Sequence, residues 1–281
     1  MNLNKKQFRK LAVIFFTRMK KIAFCFLIYD TINHEELWNN FFKNVDPAKY
    51  NIYIHYKYNK QLTYFEKYKI TNSIETKYAD HTLALAYNVL FRNAYTDDTD
   101  NYKFVILSNS CVPLKTFDHI YDKLTGDDYG YLTVCPQTQC FPNCDSLLEF
   151  TEKKHISKAN NWFILNRKLV KNLCFDKDEI IKTHYKEIYA AEEYFFYTYI
   201  RILGLEDQVK TTSHMNIIDA TTFVNWEGDG YKYPSVRGLH NYNYISDEEL
   251  SYILNSKCLF GRKFTPNCIS LYNSMYIESI M

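Results

Sequence analysis

The chain has 281 residues and a net charge of +2, with 47% hydrophobic and 17% aromatic residues. This length allows a full buried core, and this composition excludes an intrinsically disordered chain. The near-neutral charge argues against a protein that binds nucleic acid through a strong positive field.

The first 18 residues carry several basic side chains around one apolar run, residues 11–16. This run is far shorter than the roughly 20 residues that a membrane-spanning helix needs. No small-residue cleavage site of a signal peptide follows it. We therefore expect residues 1–18 to be a basic extension outside the fold, with Met19 as an alternative start. Residues 19–281 are predicted to form one domain, in a cytosolic protein.

Strand and helix patterns alternate through the first half of the chain. Continuous apolar runs of strand length predict buried strands, and apolar positions at helical spacing predict the helices that cover them. The predicted strands are 22–28, 51–55, 104–107 and 131–135, and the predicted helices are 35–43, 82–94 and 117–124. This alternation predicts an α/β fold with a mostly parallel sheet and helices on both faces.

The second half of the chain mixes short strands with helices. Ser246 is predicted to cap the last of these helices, with Glu249 as its capping-box partner three residues later. The predicted strands are 162–165, 215–218 and 221–224, and the predicted helices are 167–174, 192–203 and 246–255.

A row of small polar side chains, Ser108, Asn109 and Ser110, follows the buried strand 104–107. Ligands of open parallel sheets bind beyond the carboxyl ends of the strands, which would place these side chains beside a ligand. A plain turn closed by Pro113 is the alternative, and composition alone slightly favours it.

The eight cysteines indicate free thiols, since no secretion signal precedes them. Cys135, Cys140 and Cys144 form a cluster, but their spacing fits no standard zinc pattern. The glycine-rich motifs of dinucleotide enzymes and phosphate-loop NTPases are absent, as is the nucleophile elbow of hydrolases. These absences disfavour those enzyme classes.

Several short segments occur in series along the chain. Residues 104–114 read FVILSNSCVPL, 158–167 read KANNWFILNR, 190–195 read AAEEYF, 222–226 read TFVNW and 259–264 read LFGRKF. In this order they resemble the LLSESCIPL, GSQWF.L.R, PDE or VDE, T.VDW and LFARKF elements of one family. The family is that of the Core-2/I-branching β-1,6-N-acetylglucosaminyltransferases, with their xylosyltransferase and plant relatives. Segments 21–27, 37–42 and 50–55 extend the resemblance.

The resemblance implies a GT-A-like fold, in which a nucleotide-binding sheet is fused to a mixed acceptor-binding half. It also implies inverting transfer of a sugar, N-acetylglucosamine or xylose, from a UDP-sugar to a hydroxyl of a glycan or glycoprotein. The attacking hydroxyl must lose its proton to a base. Glu193 matches the family's catalytic glutamate, and Glu192 stands where the family has Asp, beside the acceptor. By pattern alone, both are ordinary acids in the first turn of a helix.

The departing UDP gains negative charge, and the resemblance implies that basic side chains replace a metal ion there. Arg262 and Lys263 are the predicted diphosphate ligands, because a guanidinium fork and an ammonium group both suit phosphate oxygens. For Arg262, a solvated surface position is the alternative. The two Asp-x-Asp strings, 98–100 and 176–178, are not placed like a metal-binding motif. We therefore predict no metal and no other cofactor.

The remaining predicted donor ligands are His240, His55 and Ser108. His240 stands where the family has an upstream arginine, for which nearby Arg237 could substitute. His55 lines the uridine pocket in this interpretation, although a lone histidine is more often structural.

The predicted acceptor ligands, besides Glu192, are Asn109, Ser110 and Trp226. Asn109 replaces a family glutamate. Trp226 is expected either to stack on a sugar ring or to lie in the core.

Two other interpretations stay open. An inactive sugar-binding or nucleotide-binding module on the same fold is favoured by the departures at Asn109 and His240. A small-molecule α/β enzyme of another class is disfavoured by the missing motifs. No nucleic-acid partner and no spanning membrane segment are expected. A cytosolic family member would belong to a microbial or viral setting.

Overall fold

The structure is a computed structural model that describes residues 19–140, 144–226, 231–233, 235–236 and 238–281. The predicted basic extension, residues 1–18, lies outside the described residues, and so does Arg237.

The described residues form nine strands and eight α-helices. The strands are β1 (Lys21–Ile28), β2 (Tyr50–Tyr56), β3 (Asn101–Ser108), β4 (Val112–Pro113), β5 (Gly130–Val134), β6 (Ile164–Asn166), β7 (Val209–Ser213), β8 (Thr222–Val224) and β9 (Phe260–Arg262). The helices are α1 (Glu35–Phe42), α2 (Thr82–Asp97), α3 (Phe117–Thr125), α4 (Arg167–Cys174), α5 (Asp178–His184), α6 (Ala191–Ile202), α7 (Asp247–Leu254) and α8 (Ser274–Ile280).

The strands form a large and a small sheet. The large sheet has the order β2-β1-β3-β6-β5-β7, and only β6 runs antiparallel to its neighbours in it. The small sheet has the order β4-β9-β8. The observed architecture is therefore the predicted α/β fold with a mostly parallel sheet.

Helices cover both faces of the large sheet because successive side chains of a strand point to opposite faces. On β1, Ala23 and Cys25 pack in a core with residues of α2, α4, α5 and α6. Phe24 and Phe26 point the other way and pack in a second core with residues of α1 and α3. The continuous apolar run of β1 is thus explained by burial on both faces.

A third apolar core surrounds the small sheet and joins it to the carboxyl edge of the large one. Residues of β4, α7 and α8 pack in this core. The Phe264 N–H donates to the Ser110 carbonyl at 3.1 Å, and Asn33 Nδ2 donates to the Phe264 carbonyl at 2.8 Å. These bonds hold the segment after β9 against the segments that follow β3 and β1.

The predicted strand 215–218 is wrong. Ile217–Asp219 is a short 3₁₀ turn, and Ile217 is buried in the third core. The strand in this region is β7, whose sequence VKTTS is polar because it lies at the exposed edge of the sheet. Hydrophobic periodicity therefore did not predict β7, and it did not predict α5 or α8. The other predicted elements are present, with ends that differ by at most three residues.

The predicted capping box at α7 is half formed. Ser246 Oγ accepts from the Glu249 N–H at 3.2 Å, as expected for the cap. The Glu249 carboxylate instead accepts from the Tyr242 hydroxyl at 2.7 Å. The Glu249 side chain, which the local sequence pattern assigned to the cap, thus makes a tertiary hydrogen bond instead.

Replacing Phe24 by alanine should destabilise the protein strongly. Phe24 is fully buried, and its ring centroid lies 5.0–6.4 Å from those of Trp38, Phe41, Phe42, Phe117 and Phe260. We expect Phe24→Ala to lower the free energy of unfolding by about 3–5 kcal/mol, measured by urea denaturation.

Tyr244→Ala is the matched control, because Tyr244 is 69% exposed. Its effect should stay within about 0.5 kcal/mol. Equal losses in the two variants would contradict the assignment of Phe24 to a tightly packed core.

Candidate active site

The carboxyl ends of β1, β2 and β3 meet at one edge of the large sheet. Leu27 on β1 is level with His55 on β2 and with Ser108 on β3. His55 and Ser108 are thus separated by two strand spacings, about 10 Å. Both lie on the sheet face that α2 and α6 cover, since they continue the side-chain alternation of the first core.

Ser108, at the end of β3, and Ser110, in the loop that follows, both point inward. Ser108 Oγ lies 3.1 Å from Ser110 Oγ and 3.3 Å from Cys111 Sγ, and both serines are buried. Asn109 is partly exposed, and its Nδ2 donates to Asn33 Oδ1 at 3.2 Å. Ser108 and Ser110 therefore have the contacts expected of a structural turn, whereas Asn109 is accessible to solvent.

The two predicted acidic residues lie in the first turn of α6 but in different environments. Glu193 forms an ion pair with Lys158, with 2.9 Å between Oε2 and Nζ. The Glu193 and Lys158 side chains keep 21% and 30% of their surface exposed. Burial disfavours the charged form of Lys158, but the Glu193 carboxylate outweighs this effect and raises the Lys158 pKa.

Glu192 is only 5% exposed and has no ion-pair partner in the part of the chain that the structure describes. Asn161 Nδ2 donates to its Oε1 at 3.3 Å, and the buried Oε2 has no partner among the described residues. Burial raises the pKa of Glu192 to about 7, and the nearby Glu193 charge adds to the effect. A buried carboxyl group and a partly exposed, ion-paired one suit different roles in acid–base chemistry.

Arg262 lies at the end of β9 and is 9% exposed. Its guanidinium carbon lies 3.9 Å from the centroid of the Trp162 ring. The buried Nε atom has no hydrogen-bond partner among the described residues. Burial lowers the pKa of Arg262, and Cys111, Tyr87 and Glu193 act in the opposite direction. A guanidinium group nevertheless stays protonated in proteins.

Lys263 follows Arg262 and is a second cation of the same site. Burial lowers its pKa, and the Arg262 charge lowers it further. Within the described ranges, neither cation has a carboxylate at ion-pair distance. Two neighbouring cations with no carboxylate at ion-pair distance form a ready site for an anion.

Tyr87 shows that the acidic and basic residues share one site. This fully buried tyrosine of α2 has its pKa raised well above the ordinary value, mainly by burial. Glu192, Glu193 and Arg262 all contribute to its electrostatic environment. The structure therefore brings the predicted base and the predicted arginine together.

The other predicted ligands, His55, His240 and Trp226, differ in burial and in their contacts. His55 is fully buried, and its Nε2 accepts from the Ile74 N–H at 3.0 Å, so it supports the segment after β2. Burial lowers its pKa to about 4. The His240 N–H donates to the Asn225 carbonyl at 2.9 Å, and the His240 ring contacts Tyr242. Trp226 is 40% exposed and is therefore not a core tryptophan.

The Asp-x-Asp strings have structural partners away from this site. Asp98 pairs with Lys21 at 2.8 Å, beside the start of β1 and β3, and Asp178 pairs with Arg92 of α2 at 2.8 Å.

Among the residues that the structure describes, no three His, Cys, Asp or Glu side chains are grouped so that they could hold a metal ion. Cys135, Cys140 and Cys144 are among these described residues. None of the described helices is both long and apolar enough to span a membrane.

A groove of about 500 Å³ lies toward the amino end of β2. Tyr50, Tyr53, Lys69, Asn93 and Asp97 contribute to its lining. It lies away from the carboxyl edge, where ligands of open parallel sheets bind. None of the predicted site residues lines it.

Three residues of the site were missed by the sequence reasoning: Lys158, Asn161 and Trp162. All three lie in the KANNW segment that leads into β6. The segment matched a family element, which located it correctly. Its side-chain contacts with Glu193, Glu192 and Arg262 depend on tertiary structure.

Comparison with known proteins defines the class. A model of the Core-2/I-Branching enzyme family matches residues 22–253. The chain belongs to the Core-2/I-branching enzyme family. This match confirms the resemblance that the sequence motifs carry, and it agrees with the α/β sheet described above.

Glycosyltransferase BC10 of Oryza sativa subsp. japonica is a relative, 24% identical over 158 residues. The match covers 53% of this chain and 39% of BC10, so the chain spans well under half of that protein. Two solved structures of the galactosyltransferase LgtC are also similar, each at 8% identity. One contains donor and acceptor sugar analogs (TM-score 0.44, 84% of this chain and 86% of LgtC), and the other is an active-site mutant (0.45, 86% of each). A TM-score below 0.5 does not define a shared fold.

Replacing Glu192 by glutamine should stabilise the protein at alkaline pH. The ordinary pKa of glutamate is 4.5, and burial raises that of Glu192 to about 7. Between these values the native state keeps a proton that the unfolded state has lost. The free energy of unfolding therefore falls as the pH rises, by about 1.4 kcal/mol per pH unit. We expect the melting temperature of Glu192→Gln to exceed that of the wild type at pH 8 and to approach it near pH 4.5.

Glu149→Gln is the control for this prediction, since the Glu149 side chain is exposed and does not contribute to the environment of Glu192. It should show no such pH-dependent gain. A difference between Glu192→Gln and wild type that is the same at both pH values would contradict the assigned burial of Glu192.

Proposed function

We propose that the protein is an inverting, metal-independent glycosyltransferase. It transfers a sugar, N-acetylglucosamine or xylose, from a UDP-sugar to a hydroxyl of a glycan or glycoprotein acceptor in the cytosol. The observation that carries the proposal is the pair of cations at the carboxyl edge. Arg262 is buried on Trp162, has no carboxylate at ion-pair distance among the described residues, and lies within electrostatic range of Glu193.

Glu193 acts as the general base. The acceptor oxygen attacks the anomeric carbon from the side opposite UDP, and the bond between that carbon and the phosphate oxygen breaks. The bonding electrons leave with UDP, and the acceptor proton passes to the Glu193 carboxylate. This single displacement inverts the anomeric configuration. The partial exposure of Glu193 supports the role, because an acceptor hydroxyl must reach it.

Arg262 and Lys263 stabilise the departing diphosphate. Negative charge on UDP increases as the glycosidic bond breaks, so fixed cations bind the transition state more tightly than the donor. Burial strengthens this interaction, since the effective dielectric constant falls away from water. The stacking of Arg262 on Trp162 supports the role by holding the guanidinium in place before the donor binds.

The acceptor side is assigned to Trp226, Asn109 and Glu192. Trp226 is 40% exposed and Asn109 is partly exposed, so an acceptor sugar can reach both side chains. Ser108 and Ser110 shape the loop, because their hydroxyls face each other. His55 supports the nucleotide end from below the surface, and His240 contributes to the donor side beside the small sheet.

The experiment is release of UDP from a panel of UDP-sugars, including UDP-N-acetylglucosamine and UDP-xylose, with and without EDTA. Water serves as acceptor in the first assays, and glycans are added later. We expect donor-specific release that persists in EDTA. In Glu193→Gln it should fall by about 10²-fold or more, the usual contribution of a general base.

Lys43→Gln is the matched control for charge, since Lys43 is exposed at the far end of α1. It should release UDP like the wild type. A requirement for a divalent metal would contradict the proposed role of Arg262 and Lys263. Saturable UDP binding without release from any donor or acceptor would point to the non-catalytic binding module.

A further inference from the structure

The segment that leads into β6 holds Glu193 at two points. The Ala159 N–H donates to the Glu193 carbonyl at 2.8 Å, and Lys158 Nζ contacts Glu193 Oε2 at 2.9 Å. The same segment is fixed to the end of β5, since the Cys135 N–H donates to the Lys158 carbonyl at 2.9 Å. Lys158 is thus anchored to the large sheet on one side and to the start of α6 on the other.

The contact with Lys158 makes the two oxygens of Glu193 different. Oε2 faces the ammonium group, whereas Oε1 has no hydrogen-bond donor among the described residues. The ion pair therefore occupies one oxygen and leaves the other for an incoming proton. A carboxylate fixed through one oxygen has fewer orientations to lose when an acceptor hydroxyl arrives.

The contact also makes the two adjacent glutamates different. Lys158 gives Glu193 a positive neighbour, while the hydrogen-bond donor at Glu192 is the neutral amide of Asn161. A positive charge favours an ionised carboxylate, and burial without one favours the protonated acid. The sequence alone, Glu192-Glu193, carries no such distinction.

We propose that Lys158 is a positioning residue that keeps Glu193, rather than Glu192, as the ionised base and directs its Oε1 to the acceptor hydroxyl. This inference rests on the proposed function of Glu193. Lys158 itself takes no proton in the reaction: the acceptor proton moves to Glu193 Oε1, and the ammonium group remains paired with Oε2.

Other titratable groups face this ion pair from each element packed around it. Tyr194 belongs to α6, Tyr87 to α2, Arg262 to β9, and Cys135 and Cys140 follow β5. Tyr87 is fully buried with its pKa far above neutrality, and Arg262 stays charged. Burial also raises the pKa of Tyr194, to about 12. These three groups keep one charge state near neutral pH, whereas Cys140 and Glu192, each with a pKa of about 7, change charge there. Lys158→Gln and Lys158→Arg keep both groups, so the difference between these two variants reports the charge at position 158.

The test compares Lys158→Gln, Lys158→Arg and wild type by two measurements. The first is the pH profile of kcat for UDP release from UDP-N-acetylglucosamine or UDP-xylose, whichever the wild type uses. The second is ¹³C NMR titration of protein labelled at the glutamate side-chain carboxyl carbon, with the Glu193 signal assigned from Glu193→Gln. The second measurement needs no turnover.

Lys158→Gln should lower kcat by about tenfold to a hundredfold. The acidic limb of its pH profile and the Glu193 NMR signal should both move to higher pH, because the positive charge beside Glu193 is lost. Lys158→Arg should restore both. Lys154→Gln is the matched control. Lys154 lies four residues before Lys158 and forms an exposed ion pair with Glu152, with 3.0 Å between Nζ and Oε2. It should change neither.

The outcomes separate this inference from the proposed function. If wild type releases UDP through Glu193 and Lys158→Gln leaves both the acidic limb and the NMR titration in place, the role of Lys158 is overturned. If no donor is turned over but the NMR midpoint moves, the proposed function fails while the coupling of Lys158 to Glu193 stands.

Discussion

The buried guanidinium group of Arg262 is the constraint around which the site is arranged. A charge withdrawn from water is costly unless other groups replace its solvation. Here the face of Trp162 supplies part of that environment, and Cys111, Tyr87 and Glu193 add favourable electrostatic interactions. Each of these groups comes from a different element of the chain. The position of Arg262 therefore depends on the packing of the small sheet against the carboxyl edge of the large one.

The acidic residues show how one helix start provides two kinds of carboxyl group. Glu192 points into the core, where burial raises its pKa, and Glu193 reaches the surface beside Lys158. Their neighbouring positions in α6 give them different environments, and the KANNW segment contacts both. The proposed chemistry uses this division, with Glu193 as the base and with Arg262 and Lys263 as the ligands of the diphosphate.

The sequence predicted the parts of this structure that depend on local patterns. Apolar runs located β1 and β3, and motif resemblance located Glu193, Arg262 and the segment before β6. Local patterns failed where an element is exposed and polar, as at β7, or where tertiary contacts redirect a side chain, as at Glu249. They also could not show that the hydroxyls of the row after β3 face each other. The contact of Lys158 with Glu193 joins distant parts of the chain, so no spacing rule could reveal it.

The most direct test of the central claim is a crystal structure of the protein with UDP, prepared in EDTA. The account predicts a diphosphate within about 3 Å of the Arg262 guanidinium and the Lys263 ammonium group, with the sugar end directed toward Glu193. It predicts no metal ion between the phosphates and the protein. UDP bound in the groove beside the amino end of β2, or bound at the carboxyl edge only through a divalent cation, would contradict it.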